Sequence, residues 1–203
     1  AENPVIPDEV VAVLAADSGL ALADAHGMKV DLVVGDMDSV DPEILQKYAE
    51  SGTKVMQFPQ DKDETDFELA LDVAQQFNAE KLLVVGGGGQ RSDHFLANIA
   101  ILSGDRTNGW VTDMITATEH LAVCRPNQPR TLTCSVGDII SLIPVGGDAV
   151  GVTTTGLKWE LNNSTLEVHA ARGMSNVCVS KKVSVEITSG ALAIIGISEQ
   201  VER

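Results

Sequence analysis

A chain of 203 residues, 44% of them hydrophobic, can bury a real core as one large domain or two small ones. Its 29 acidic against 14 basic residues leave a formal net charge of −15, which argues against nucleic acid and anionic membranes as partners. No apolar run approaches the ~20 residues of a membrane helix, and "AENPVIPDEV" reads as neither a signal nor a transit peptide. Cys124, Cys134 and Cys178 lack metal-ligand spacing and read as free thiols of a cytoplasmic protein.

Up to about Gly104, strand-like and helix-like segments alternate. "VVAVLAA" (10–16) reads as a buried strand and "LALADAHG" as a short helix closed by Gly27. "VDLVVG" is a second strand, and "DPEILQKYAESG" a helix capped by Asp41 with Pro42 in its first turn. "TKVMQF" is a third strand. The next helix opens on the capping box Thr65-x-x-Glu68 and carries Phe67, Ala70, Leu71, Ala74 and Phe77 on one face. "KLLVVGG" is a fourth strand, followed by a glycine loop and the helix "DHFLANIAIL". Apolar strands alternating with helices predict a mostly parallel sheet with helices on both faces.

After about Thr112 the helical period disappears. "LAVC", "TLTC", "DIISLIPV", "VGVTTT", "LKWEL", "TLEVHA", "VCVS", "VSVEIT" and "ALAIIGI" are short, rich in β-branched residues and separated by Gly, Asn, Pro or Asp. That pattern predicts an antiparallel sandwich or barrel. The expected layout is an α/β domain over 1–111 that binds nucleotide and metal, then an all-β domain over 112–203.

In a parallel sheet, ligands bind beyond the carboxyl ends of the strands. Four such ends carry polar clusters: "ADSG", "GDMDS", "PQDKDETD" and "GGGGQRSDH". The first three deliver Asp17, Asp36, Asp38, Asp61, Asp63 and Asp66, and the fourth delivers Arg91 and Asp93. A single strand-end aspartate is commonly a helix cap, but four successive ends behaving alike point to a hard oxygen cage suited to Mg²⁺. Arg91 is either a salt bridge that neutralises the cluster or a bidentate clamp on phosphate. "GGGGQ" can bring backbone N–H groups to a phosphate, although no Gly-Lys-Ser/Thr follows it. Together these features favour phosphoryl or pyrophosphoryl transfer from a nucleotide.

The motifs "ADSG", "GDMDS", "DKDETDFELAL" and "RSDHFLANI", with "SLIPVGG", "TTTGLKWEL" and "GMSN" in the second half, resemble those of the thiamine pyrophosphokinases. The resemblance spans most of the chain in the family's order. It implies an enzyme that moves the pyrophosphoryl group of ATP onto the hydroxyethyl oxygen of thiamine, giving thiamine diphosphate and AMP. By analogy Asp36, Asp38 and Asp66 hold Mg²⁺, Asp17 and Asp93 complete the acidic cluster, and Arg91 and Thr65 contact the phosphates of ATP. Trp159, Ser175 and Asn176 carry over to the thiamine pocket, and the resemblance implies a homodimer with that pocket at the subunit interface. The thiazolium is a permanent cation that suits an acidic protein, and its aminopyrimidine offers a flat face for Trp159. A core position for Trp159, and turn positions for Ser175 and Asn176, are the structural alternatives.

Three departures stand against the family pattern. Only "AENPVIPDE" precedes the first strand, too short for the strand and helix expected there. Lys62 stands where some members carry glutamine, and Val177 where many bacterial members carry glutamate. His94 begins a helix and is expected to cap or pack, and His26, His120 and His169 have no partners at ligand spacing. Two other functions fit parts of the sequence. "DMDSV" matches phosphatases that form an aspartyl-phosphate, with Asp36 as nucleophile. A non-catalytic thiamine or nucleotide sensor would keep an idle metal site.

Overall fold

The computed structural model describes residues 9–88 and 91–197, so the N-terminal segment, part of the glycine loop and the C-terminal end lie outside the described residues. The chain divides into two compact units, 1–79 and 80–203.

The first unit is built on three parallel strands in the order β1 (Leu14–Ala16), β2 (Leu32–Gly35), β3 (Lys54–Gln57). Side chains alternate across a strand, so neighbouring residues serve opposite faces. Ala15 and Val33 join Leu20 and Ala23 of α1 (Gly19–Ala25) and Tyr48 of α2 (Pro42–Glu50) in one cluster. Leu32 and Val34 join Ala70 and Val73 of α3 (Asp66–Ala74), with Leu14 and Ala16 packed alongside, in the other. Helices therefore cover both faces, and Val33 and Val34 are fully buried, each worth ~1.5–3 kcal/mol of transfer free energy. The predicted caps are present. Asp41 accepts from Glu43 N at 2.9 Å and Ile44 N at 3.4 Å, and Thr65 and Glu68 form a reciprocal capping box, each cap worth ~1 kcal/mol.

The second unit corrects two expectations. β4 (Lys81–Val85) does not extend the first sheet. It pairs in parallel with β5 (Val111–Ile115) at the edge of a six-stranded sheet, ordered β11-β8-β13-β6-β5-β4. In that sheet β6 is Glu119–Cys124, β8 Ile139–Pro144, β11 Asn176–Val177 and β13 Leu192–Ile197. A four-stranded sheet runs β10-β9-β12-β7, with β7 Arg130–Thr133, β9 Ala149–Thr155, β10 Ser164–Leu166 and β12 Lys182–Glu186. Both sheets have free edges, so among the described residues no closed barrel forms. One buried cluster draws on both, with Ile140, Leu142, Leu192 and Ile194 from one sheet and Val152, Leu166, Val183 and Val185 from the other.

The second correction concerns "LKWEL", which is a loop rather than a strand. Its ladder stops after one bridge, Leu157 to Cys178, with Lys158 N donating to the Val177 carbonyl at 2.8 Å, and side chains take the groups on either side. Gly156 N donates to Glu160 Oε1 at 2.8 Å, and Leu161 N donates to Thr154 Oγ1 at 2.9 Å. Gly156 sits at φ +82°, and a Cβ there would lie 2.3 Å from the Lys182 carbonyl oxygen, so only glycine makes this turn. α4 (Ser92–Ser103) follows the glycine loop as expected.

Candidate active site

β1 ends at Ala16 and β2 at Gly35, so Asp17 and Asp36 are the first residues past adjacent parallel strands. One carboxylate oxygen each from Asp17, Asp36 and Asp38 lies within 4.8 Å of the others. The backbone is bent to achieve this. Asp17 has φ 44° and Met37 φ 69°, left-handed conformations that side-chain-bearing residues adopt at a cost of ~1–3 kcal/mol. Gly35 is in contact with the cluster: a Cβ there would lie 3.2 Å from Asp66 Oδ1 and 3.3 Å from Asp17 Cβ.

Each carboxylate has its own environment. Asp17 Oδ1 is buried without a hydrogen-bond partner. Burial pushes the Asp17 carboxyl above the usual carboxylate range. Hydrogen bonds from the Ser18 backbone and the Ser39 side chain oppose the rise, and the charges of Asp66 and Asp36 reinforce it. Asp36 Oδ1 accepts from Asp38 N at 3.0 Å, closing an Asx turn. Asp38 is exposed and accepts from Ser39 Oγ at 2.8 Å and Gln60 Nε2 at 2.7 Å, which hold its carboxyl below the usual range. Asp66 Oδ1 faces the Lys62 ammonium at 3.1 Å, and the same ammonium lies 3.6 Å from Asp36 Oδ2. Desolvation works against the charge on Lys62, but Asp66 and Asp36 outweigh it and its pKa is raised.

Three carboxylates close together, one with an orphaned buried oxygen, form a donor set that fits a hard divalent cation and costs free energy without one. The sequence pointed to Asp36, Asp38 and Asp66, whereas the close trio is Asp17, Asp36 and Asp38, with Asp66 joined through Lys62. Asp61 and Asp63 are exposed. The Lys62 contact went unread: Lys62 lies in the loop before α3, so its contact with Asp66 at 3.1 Å comes from the loop's path and not from a helical period.

Thr65 uses its hydroxyl in the cap, with Glu68 N at 3.2 Å. Arg91 and Asp93 belong to the second unit and are paired with each other: Nε reaches Oδ1 at 3.1 Å and Nη2 reaches Oδ2 at 2.5 Å. Arg91 holds the exposed Asp93 carboxyl at about 2. The glycine loop before Arg91 lies partly outside the described residues.

Trp159 is no core residue: it is 56% exposed, whereas Trp110 is 7% exposed. Lys158 Nζ stands 4.7 Å from its ring centroid. Asn176 is buried, with its amide spent on the Trp159 backbone. Ser175 has φ 54°, and its N–H donates to Ser141 Oγ at 3.1 Å. His120, assigned no partner from the sequence, pairs with Asp113 at 2.9 Å.

The profile of the thiamin pyrophosphokinase catalytic domain matches residues 7–109, and that of the thiamin pyrophosphokinase vitamin B1 binding domain matches residues 128–192. Thiamine pyrophosphokinase of Bacillus subtilis is 28% identical over 190 residues, covering 93% of this chain and 88% of that protein. Thiamine pyrophosphokinase 1 of Arabidopsis thaliana is 29% identical over 189 residues, covering 88% of this chain and 70% of that one. The crystal structure of the Bacillus subtilis protein superposes with a TM-score of 0.82 at 27% identity, covering 95% of this chain and 90% of that one. No helix among the described residues is long and apolar enough to cross a membrane.

Proposed function

This chain belongs to the thiamine pyrophosphokinase family, and we propose that it transfers the pyrophosphoryl group of ATP to the hydroxyethyl oxygen of thiamine. That oxygen attacks the β-phosphorus, the bond from the β-phosphorus to the oxygen bridging to the α-phosphorus breaks, and AMP leaves. The products are thiamine diphosphate, AMP and the proton of the hydroxyl group. The observation that carries this reading is the Asp17, Asp36 and Asp38 trio beyond β1 and β2, with its orphaned oxygen.

In this reading Asp36, Asp38 and Asp66 hold Mg²⁺, with Asp17 beside them in the close trio. When bound, the ion supplies charge neutralisation for the polyphosphate. The resemblance assigns Arg91 and Thr65 to the phosphates of ATP, with Asp93 orienting the Arg91 guanidinium until phosphate replaces it. Trp159 stacks on the aminopyrimidine, and Ser175 and Asn176 shape the turn beside it. The exposure of Trp159 supports a ligand role over a core role. The division of labour follows 1–111 and 112–203, supported by the separate matches to a catalytic and a vitamin-binding profile. For the second of these parts we favour a two-sheet sandwich, since strands of both sheets feed one buried cluster. The family resemblance further makes the protein a cytoplasmic homodimer with its thiamine site at the subunit interface, and a solution mass of two chains would support the dimer.

Incubation with ATP, Mg²⁺ and thiamine, followed by mass measurement of the products, tests the reaction. Thiamine diphosphate and AMP in equal amounts are expected. Phosphate release from small phosphoesters without ATP would replace the reading with a phosphatase. Thiamine binding without AMP formation would replace it with a sensor.

A further inference from the structure

The ammonium of Lys62 lies among three oxygens: Asp66 Oδ1 at 3.1 Å, the Pro59 carbonyl at 3.1 Å and Asp36 Oδ2 at 3.6 Å. Its side chain is 12% exposed and that of Asp36 13%, so the pair is shielded from the screening that weakens surface ion pairs. Both Asp36 oxygens are engaged, Oδ1 by the Asp38 N–H and Oδ2 by Lys62. A dication held by this cluster therefore meets a positive charge already beside Asp36.

We propose that Lys62 is a positioning residue that makes divalent-cation binding depend on the nucleotide: its ammonium neutralises Asp36 and Asp66 until a polyphosphate offers it another anionic partner. The proposal rests on the reading of this cluster as the magnesium site of the kinase. Before nucleotide arrives, metal and ammonium compete for Asp36. Once phosphate draws the ammonium away, the carboxylate is free, so metal and nucleotide bind together more tightly than either binds alone. Such coupling is reciprocal.

Calorimetric titration of the whole protein with Mg²⁺ alone tests this in wild type, Lys62→Gln and Lys62→Arg. Lys62→Gln is expected to bind Mg²⁺ alone about tenfold more tightly, the scale of one removed like-charge contact. Lys62→Arg, which keeps the charge, should stay near wild type. Adding an ATP analogue with a methylene bridge between its α- and β-phosphates should sharpen Mg²⁺ binding in wild type and do so far less in Lys62→Gln. As a second readout, the metal-free Lys62→Gln protein should melt lower than wild type and gain more from Mg²⁺. Unchanged or weaker binding of Mg²⁺ alone by Lys62→Gln, or an equal melting gain, overturns the proposal. Absence of thiamine diphosphate formation, by contrast, would overturn the kinase reading and leave these binding differences intact.

Discussion

The Asn176 side chain makes both hydrogen bonds of the Trp159 backbone: Trp159 N donates to Oδ1 at 3.1 Å, and Nδ2 donates to the Trp159 carbonyl at 2.8 Å. The amide extends the pairing that begins where Lys158 N donates to the Val177 carbonyl at 2.8 Å, and presents the indole outward on a fixed base. Trp159→Ala is expected to raise the KM for thiamine and leave that for ATP nearly unchanged. Aromatic stacking worth ~0.5–1.5 kcal/mol corresponds to a roughly two- to tenfold rise. Asn176→Ala should raise the same KM and also lower the melting temperature, since it strands two backbone groups at ~1–3 kcal/mol each if they stay buried. A thiamine KM unmoved by Trp159→Ala in a folded protein would remove the indole from the site.

Asp113 on β5 ties the two sheets of the second unit together. Arg130 of β7 grips both its oxygens through Nη2 at 2.6 Å, while Nη1 donates to the carbonyls of Thr112 and Val123. Burial pushes the Asp113 carboxyl up, but the hydrogen bonds from His120 and Arg130 outweigh it and its pKa falls below the usual range. The unfolded chain then takes up this proton before the folded one does. The stabilisation is full above the ordinary carboxylate range and fades as pH falls through the depressed value. Asp113→Asn should cost ~1–3 kcal/mol at neutral pH, and urea midpoints should converge with wild type in strong acid. Coincident midpoints at every pH would show that the pair contributes nothing, and a constant offset would show that its contribution does not depend on the Asp113 charge.

What the sequence made legible were features whose cause is local. The Asp41 cap, the Thr65–Glu68 box and the acidic strand ends need only neighbours a few residues away. Misreadings came where a distant partner decides. The apolar run of β4 reads as a buried strand but does not show that its partner is β5 rather than a strand of the first sheet, and at that sheet edge Leu82 to Val85 are only half-buried. "LKWEL" alternates like a strand, yet the Asn176 side chain, seventeen residues from Trp159, takes both hydrogen bonds of the Trp159 backbone. The pairing of His120 with Asp113 follows from the β5–β6 register, in which Ile115 faces His120. The site was readable as an acidic cluster, whereas the choice of Asp17 over Asp66 for the close trio depends on how tightly β1 and β2 bring their ends together.

Gly35 tests how closely the strand ends are fitted. Its φ of +154° disfavours any side chain, and a methyl would press on Asp66 Oδ1 and Asp17 Cβ at 3.2 and 3.3 Å. Gly35→Ala is expected to destabilise by ~1–3 kcal/mol through strain and crowding. It should also weaken Mg²⁺ binding, because Asp17 and Asp66 must give way and disturb the spacing of the cluster. A variant that melts lower but binds Mg²⁺ as wild type does would separate the strain from the site.

Asp17 and Asp38 should part company in stability while agreeing in function. Asp17 is held at φ 44°, a conformation that asparagine tolerates as well as aspartate does. Its carboxyl carries a raised pKa from burial and from the charges of Asp66 and Asp36. A carboxyl whose folded pKa lies above its unfolded value binds its proton more firmly when folded, so its contribution declines as pH rises through that window. Asp17→Asn removes the buried charge. The metal-free variant should melt at or above the wild-type temperature at neutral pH, with a flatter pH dependence across the window. Asp38 is exposed and already well solvated through Ser39 and Gln60, so Asp38→Asn should leave the melting temperature nearly unchanged. Both variants should lose Mg²⁺ affinity and ~10²-fold or more in turnover, the usual consequence of removing a main electrostatic element. Near-normal turnover of Asp38→Asn at saturating Mg²⁺ would make Asp38 a solvated carboxylate with no catalytic part. A clear drop in melting temperature for metal-free Asp17→Asn would make Asp17 a structural acceptor, and the cation would then rest on Asp36, Asp38 and Asp66.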